Sequence, residues 1–497
     1  MARTNSTPQV CIVGTARHTW RDHQPAPEPL AMWEQVLHEA VDDIGTTHDV
    51  VRDLDHLAVV HCLSWEYDDP AARLAARIGR PDVPRTTSIL AGTSPLRLLS
   101  HAAAEMRAGR MEAAVVVGAE AQATLQHHER AGEAPPWSFP HPSPPSILDS
   151  LHEWHLPTEL RHGVLPAWLT FALLEQARWA ARGATDADRA ALGARLARFS
   201  EIAAANPDAW HRREWDGTEL LAPTSTNRMI ATPYTKCTTA FPTVDMAAAN
   251  VLVTEEVADR WGVPEDRRVY LRGSAFARDA SHIAGRAELH RSGAMRAATA
   301  GALQLASLHV DEIDAFDLYS CFGSAVAFAS DALGLDDDDP RPRSLTGGLP
   351  FHGGPGSNYT SHSVSHAVDA IRAGEHANVL TTGIGMHMAK HIAVVWSRQP
   401  GPAGVEGDVT QQAALEDDVV PVVDEARGPA RCEAATVVFD RANEPERVVA
   451  ICALPDGSRC YAASDDPVVI DIVRDDKWVG ATVELRPTSQ GTNELRL

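Results

Sequence analysis

The pattern of apolar positions alternates between strand and helix from the start. Gln9–Gly14 (QVCIVG) is a short β-branched run. Over Glu28–Ala40 the apolar residues Leu30, Met32, Trp33, Val36 and Leu37 recur at helical spacing, and Val41–Ile44 extends the same face. Leu57–His61 predicts a second strand. Ser94–Ala108 predicts a helix that stops at Gly109, and Ala113–Gly118 (AAVVVG) a strand buried on both faces. The rhythm returns later. Val269–Phe276, Ala315–Leu318, Asn378–Thr382 and His391–Ser397 read as strands, and Ser292–Ala306, Gly323–Leu333 and Ser361–Arg372 as helices. Two such passes, about 1–120 and 231–400, predict a duplicated core with parallel α/β layers.

Residues 121–230 break the rhythm. They hold a proline-rich stretch (Ala134–Pro145) and a helical, Ala/Arg-rich one (Pro166–Arg213), and read as an inserted region. The run 336–343 (DDDDPRPR) predicts a solvated turn, and 400–407 (PGPAGVEG) a linker. Beyond it, 408–497 reads as a small all-β domain. Its strands are expected at Ala434–Asp440, Arg447–Leu454, Arg459–Ala463, Val468–Val473 and Ala481–Leu485.

Composition narrows the function. The 497 residues carry a formal net charge of −23, which argues against a broad nucleic-acid surface but allows a local arginine patch. Lysine stands only at 236, 390 and 477. Seven dispersed cysteines without a CxxC pair predict free thiols and a cytoplasmic setting. The segment MARTNSTPQV does not read as a signal peptide, and no apolar run is long enough to span a membrane.

Four turn-forming blocks, three of them glycine-rich, stand where ligands bind in α/β layers. They are Ala91-Gly92-Thr93-Ser94-Pro95, Asp317-Leu318-Tyr319-Ser320-Cys321-Phe322, Thr346–Gly356 (TGGLPFHGGPG) and Thr382-Gly383-Ile384-Gly385-Met386-His387. In their order these blocks resemble the thiolase superfamily, over about residues 9–400. Counting back from Gly109 and Glu120 puts Gly92 where thiolases carry the nucleophilic Cys. Tyr319 stands at the Asn of the N-E-A-F loop, and Tyr319-Ser320-Cys321-Phe322 is close to the His-Asp-Cys-Phe version of sterol-carrier-type thiolases. Gly354 falls at the His of N-G-G-x-x-x-x-G-H-P, and Gly383 at or next to the second Cys of C-x-G. Asn206–Trp210 and Pro233–Lys236 resemble stretches of the thiolase-like branch, and the appended domain that of mycobacterial thiolase-like proteins of type 1.

The resemblance implies a five-layered αβαβα thiolase core with an inserted loop domain and a C-terminal OB-like β domain. It also implies an acetyl-CoA acetyltransferase family member of lipid metabolism, with CoA or an acyl-CoA as ligand and no tightly bound cofactor or metal. Thiolases pair through the strand after the nucleophile helix, here Ala113–Gly118; a homodimer and a monomer are both compatible with the sequence. Thiolase chemistry needs a Cys thiolate, a His base and a second Cys, and glycine supplies none of these. Backbone N–H groups at Gly92, Gly354, Gly383 and Gly385 still offer oxyanion donors.

The candidates for altered chemistry are Tyr319, Cys321, His352, Tyr359 and His387. A tyrosine pair, Tyr319 with Tyr359, resembles the aldolases of this superfamily that cleave steroid side-chain CoA thioesters. Cys321 reads as a relocated nucleophile or as pocket wall. His362 and His366 have metal-ligand spacing without a third ligand. Thr93 and Ser94 read as helix caps. Lys236 and Lys390 are phosphate contacts or structural ion pairs, and Arg212, Arg213 or Arg228 are candidates for the adenosine phosphates. Three functions follow: acyl-CoA chemistry without a Cys acyl-enzyme, such as a retro-aldol cleavage; non-catalytic CoA-ester binding; or an adaptor role carried by the β domain.

Overall fold

A computed structural model describes residues 7–22, 25–144, 154–183, 186–402, 407–414, 419–474 and 478–496. Residues 403–406 of the expected linker at 400–407 lie outside them.

The first pass contributes β1 (Val10–Thr19), α1 (Pro29–Asp43), β2 (His56–Val59), α2 (Pro70–Arg77), β3 (Arg85–Thr87), α3 (Ser94–Arg107) and β4 (Ala113–Ala121). The insertion holds α4 (Ala167–Ala181), α5 (Asp186–Ala205), β5 (Met229–Ala231) and β6 (Tyr234–Thr235), and β7 (Asp245–Thr254) returns the chain to the sheet. The second pass holds β8 (Val269–Arg278), α6 (Gly293–Ala306), β9 (Ala315–Asp317), α7 (Gly323–Leu333), α8 (Tyr359–Arg372), β10 (Asn378–Gly385) and β11 (Lys390–Ser397).

The duplication is visible in the strand order. Outward from the β1·β8 junction, one half runs β1-β7-β4-β2-β3 and the other β8-β11-β10-β9. In both, the last strand lies antiparallel beside the first, and the remaining strands are parallel to each other. The pair Cys11↔Tyr270 and Ile12↔Val269 joins the halves, and β12 (Gly407–Asp408) adds to β8.

Alternation along the strands produces the layers. Cys11, Val13, Val115 and Val117 face one core, with Leu30, Trp33 and Leu37 of α1 and Leu74 of α2. Val10, Ile12, Ala114 and Val116 face another, shared with Leu96 and Leu99 of α3, Val364 and Val368 of α8, and Ile392, Val394 and Trp396 of β11. Ala393 and Val395 face a third core under α6, α7 and the insertion. Helix, sheet, helix pair, sheet, helix is the five-layered αβαβα arrangement. Strand β4 is buried throughout and lies between β2 and β7. It therefore has no free edge to pair with another copy, which corrects the pairing expected from resemblance. The exposed edge strand of that half is β3.

The C-terminal domain closes on itself. Strands β13 (Gly428–Phe439), β14 (Pro445–Ala453), β15 (Arg459–Ser464), β16 (Thr482–Pro487) and β17 (Asn493–Arg496) pair in the order β13-β14-β15-β17-β16 and back to β13. This five-stranded barrel has OB-type order, with β15 and β17 parallel. The strand expected at Val468–Val473 is instead helix α9 (Pro467–Arg474), between β15 and β16. Asp466 caps it by accepting from the Val468 N–H at 2.8 Å, and Pro467 opens its first turn. Val469, Ile470 and Val473 are buried on one face, while Val468 and Ile472 are exposed, which is a helical period.

The barrel is built into the core. Val438 pairs with Ala231, so the barrel sheet continues into β5 and β6. Arg459 donates to the carbonyls of Ala284 and Ala287 at 3.1 Å and of Arg286. Tyr461 donates to the buried carboxylate of Glu159 at 2.6 Å.

Candidate functional site

The blocks lie at strand ends and meet as the topology requires. Block four packs on block one: a Cβ built on Gly383 would stand 3.1 Å from the Gly92 oxygen, and one on Gly385 3.3 Å from Ala91 Cβ. Ala91 N–H donates to Ser357 Oγ at 3.1 Å, beside block three, and Tyr319 N–H donates to Thr382 Oγ1 at 2.8 Å, tying block two to β10.

The decisive geometry is at Gly92. A Cβ there would stand 2.3 Å from the Tyr319 hydroxyl oxygen and 2.4 Å from the Ile384 carbonyl oxygen. The volume where the resemblance places a thiolate is therefore filled by a phenol and by the backbone of block four. Gly92 is a packing requirement, and Tyr319 is the side chain that uses the space. Tyr319 is buried, and desolvation pushes its phenol above the ordinary value.

Tyr359 stacks edge-on to Tyr319 with centroids 5.6 Å apart, but its hydroxyl is committed elsewhere. It donates to Asp317 at 3.2 Å and lies 2.7 Å from Thr346 Oγ1. Asp317, fully buried at the end of β9, also accepts from the Leu345 and Thr346 N–H groups and from the Ser344, Thr346 and Ser363 hydroxyls. This carboxylate organises blocks two and three, a role that sequence reading missed although Asp317 heads block two.

His352 is fully buried against His362 and His366, with centroids 5.2 and 5.6 Å away. Asn206 Nδ2 approaches His352 Nδ1 at 3.3 Å and His366 Nε2 at 3.2 Å. Burial, reinforced by Arg17, lowers His352 to about 3, and the same burial holds His362 and His366 well below the usual imidazole range. The three rings form a neutral internal cluster. Among the described residues no His, Cys, Asp or Glu group has metal-binding geometry.

Cys321 is buried with its thiol pushed up by desolvation, which outweighs backbone N–H contacts from Phe322 and from its own amide, and its carbonyl accepts from Ala240 N–H. Gly354 has room: a Cβ there would meet nothing closer than Leu349 at 3.4 Å, while its N–H is taken by the Phe241 carbonyl. His387 lies 2.7 Å from Thr170 Oγ1 and 4.6 Å ring to ring from His155, and burial lowers it to about 4. His391 pairs with Asp279 at 3.0 Å; burial raises the Asp279 carboxyl, but the bond and charge of His391 together with Arg286 and the Ser292 hydroxyl hold it at about 2. The capping roles expected of Thr93 and Ser94 are not realised: Thr93 makes no side-chain cap bond, and Ser94 Oγ donates to the Ile89 carbonyl at 2.7 Å.

The cationic candidates separate. Arg212 bonds the Ala204 carbonyl, Arg213 pairs with Glu219 over the Trp215 ring, and Arg228 bonds its neighbour's carbonyl at Met229. Lys236 is exposed. Lys390 is different. Its Cβ and Cδ lie 3.3 and 3.4 Å from a Cβ built on Gly385, and burial together with Arg278 and Arg97 lowers its pKa. Arg97 sits over the Phe276 ring at 3.9 Å. Lys390, Arg97 and Arg278 thus form a positive group beside blocks one and four, with Asp408 as an acidic neighbour. Neither arginine stands in a motif block, so only the fold reveals the group.

Residues 410–490 match the family model described as the thiolase-like protein type 1 additional C-terminal domain. Among solved structures, a monomeric SCP2-thiolase-like protein type 1 from Mycobacterium smegmatis is 28% identical, with a TM-score of 0.85 over 100% of both chains. No curated protein matches by sequence. With the αβαβα core, the OB-type barrel and the four converging blocks, the chain belongs to the thiolase superfamily, in its thiolase-like type 1 branch.

Proposed function

We propose that this protein binds a CoA thioester without forming an acyl-enzyme. The observation that carries the reading is the Tyr319 hydroxyl 2.3 Å from where a side chain at position 92 would begin. A ping-pong acyl transfer needs a nucleophile with a base in reach. Here position 92 is glycine, Cys321 is a buried neutral thiol, and His352 is a buried neutral imidazole. The paired-tyrosine aldolase reading loses one partner, because the Tyr359 hydroxyl is bound to Asp317 and Thr346.

The anionic part of such a ligand is received by Lys390, Arg97 and Arg278, which offset the repulsion from a chain of net charge −23. The barrel supports binding rather than a tethered adaptor role, since it shares a sheet and buried hydrogen bonds with the core. Titration calorimetry with CoA and acetyl-CoA tests the reading. Saturable binding, weakened about tenfold by Lys390→Ala, is expected from loss of a charge-assisted contact. Absence of binding to either thiol or thioester would sink it.

A further inference from the structure

A second cationic cleft lies away from the four blocks, between α5 and the segment 337–343. It encloses about 300 Å³, the lower end of the range for small-molecule sites. Its origin is local. Ala191, Ala194, Arg195, Arg198 and Ile202 share one face of α5, and the two alanines leave space where larger residues would pack. The opposite rim is fixed, because the Pro342 and Arg343 carbonyls accept from Phe316 and Leu318 N–H at 2.8 and 3.0 Å, as an extension beside β9. The turn expected to be solvated is exposed at 336–338 but docked at 341–343.

The charges are unequally matched. Arg195 pairs with Asp337 at 2.9 Å and Arg341 with Asp339 at 2.6 Å. Arg343 is only 9% exposed, and its guanidinium bonds the Asp336 carbonyl. No carboxylate among the described residues pairs with Arg343 or Arg198. Burial and the neighbouring Arg195 depress the Arg343 pKa, Asp337 and Asp339 partly offset this, and Arg198 adds to the depression. Glu201, Asp337 and Asp339 are the acidic groups on the cleft. Phe199, Ile202 and Pro340 supply an apolar wall.

We propose that this cleft binds a small phosphorylated molecule, with the phosphate between Arg198 and Arg343 and an apolar group against Phe199 and Pro340. A phosphate dianion supplies the anionic partner that neither guanidinium has among the described residues, and bidentate arginine contacts are the strong form of that interaction. The site is independent of thioester binding, since it needs neither the four blocks nor Lys390.

The test is calorimetry of the full chain with AMP and with adenosine at low ionic strength. AMP is expected to bind saturably and adenosine not to. Arg198→Ala, at an exposed position, and Ala194→Leu, which fills the cleft without changing charge, are each expected to weaken AMP about tenfold at an unchanged melting temperature. Lys390→Ala is expected to leave AMP binding intact. Absence of AMP binding, equal binding of adenosine, wild-type affinity in Arg198→Ala, or loss in Lys390→Ala would each overturn the proposal.

Discussion

At the scale of single residues, Gly92 and Asp317 carry the account. Gly92→Ala drives a methyl against the Tyr319 hydroxyl and the Ile384 carbonyl, and is expected to destabilise by about 1–3 kcal/mol in urea denaturation. Removing Tyr319 relieves only the first contact. The double variant Gly92→Cys with Tyr319→Asn is therefore expected to stay destabilised, because Ile384 blocks position 92 with backbone. Tyr359→Phe removes one of six donors to a buried carboxylate and is expected to cost about 1–3 kcal/mol of stability. A purely catalytic tyrosine would leave the denaturation midpoint unmoved. The sequence displayed the glycines, because a missing Cys or His is legible as a letter at an expected position. It did not display what fills the space, because Tyr319 and Gly92 are brought together only by sheet topology.

At the scale of elements, many helices and strands followed from apolar spacing, but α2, β3 and β7 were not among those expected, and one expected strand is a helix for a physical cause. All of residues 468–473 except Asp471 are β-branched and apolar, so composition favours a strand, but an Asp466–Pro467 start and burial of Val469, Ile470 and Val473 make a helix. Asp466→Ala is expected to lower barrel stability by about 1 kcal/mol, read as a shifted denaturation midpoint. The fifth barrel strand, β17, escaped notice because Asn493–Arg496 (NELR) is short and mostly polar. The arginine cleft escaped for a similar reason. Arg195 and Arg198 look like a solvated helix face until the 337–343 segment docks opposite them.

At the scale of the whole molecule, buried imidazoles set the response to acid. His352, His362 and His366 are neutral inside, with His352 at about 3, whereas an unfolded histidine titrates near 6.5. Between those values the unfolded chain binds more protons. The contribution is thus fully present above about pH 6.5 and is lost as pH falls. Glu120, raised to about 7 by burial, and Glu175, also raised, act in the opposite sense but are outnumbered. Denaturation midpoints are expected to drop between pH 7 and pH 5; a flat or rising profile would contradict the neutral cluster.

The most direct test of the central claim is intact-mass spectrometry of the wild-type protein after incubation with acetyl-CoA. An unchanged protein mass is predicted, because position 92 has no nucleophile and the thiol within the blocks, Cys321, is buried and neutral. A stoichiometric acetyl adduct on Cys321 or on another residue of the four blocks would contradict the account.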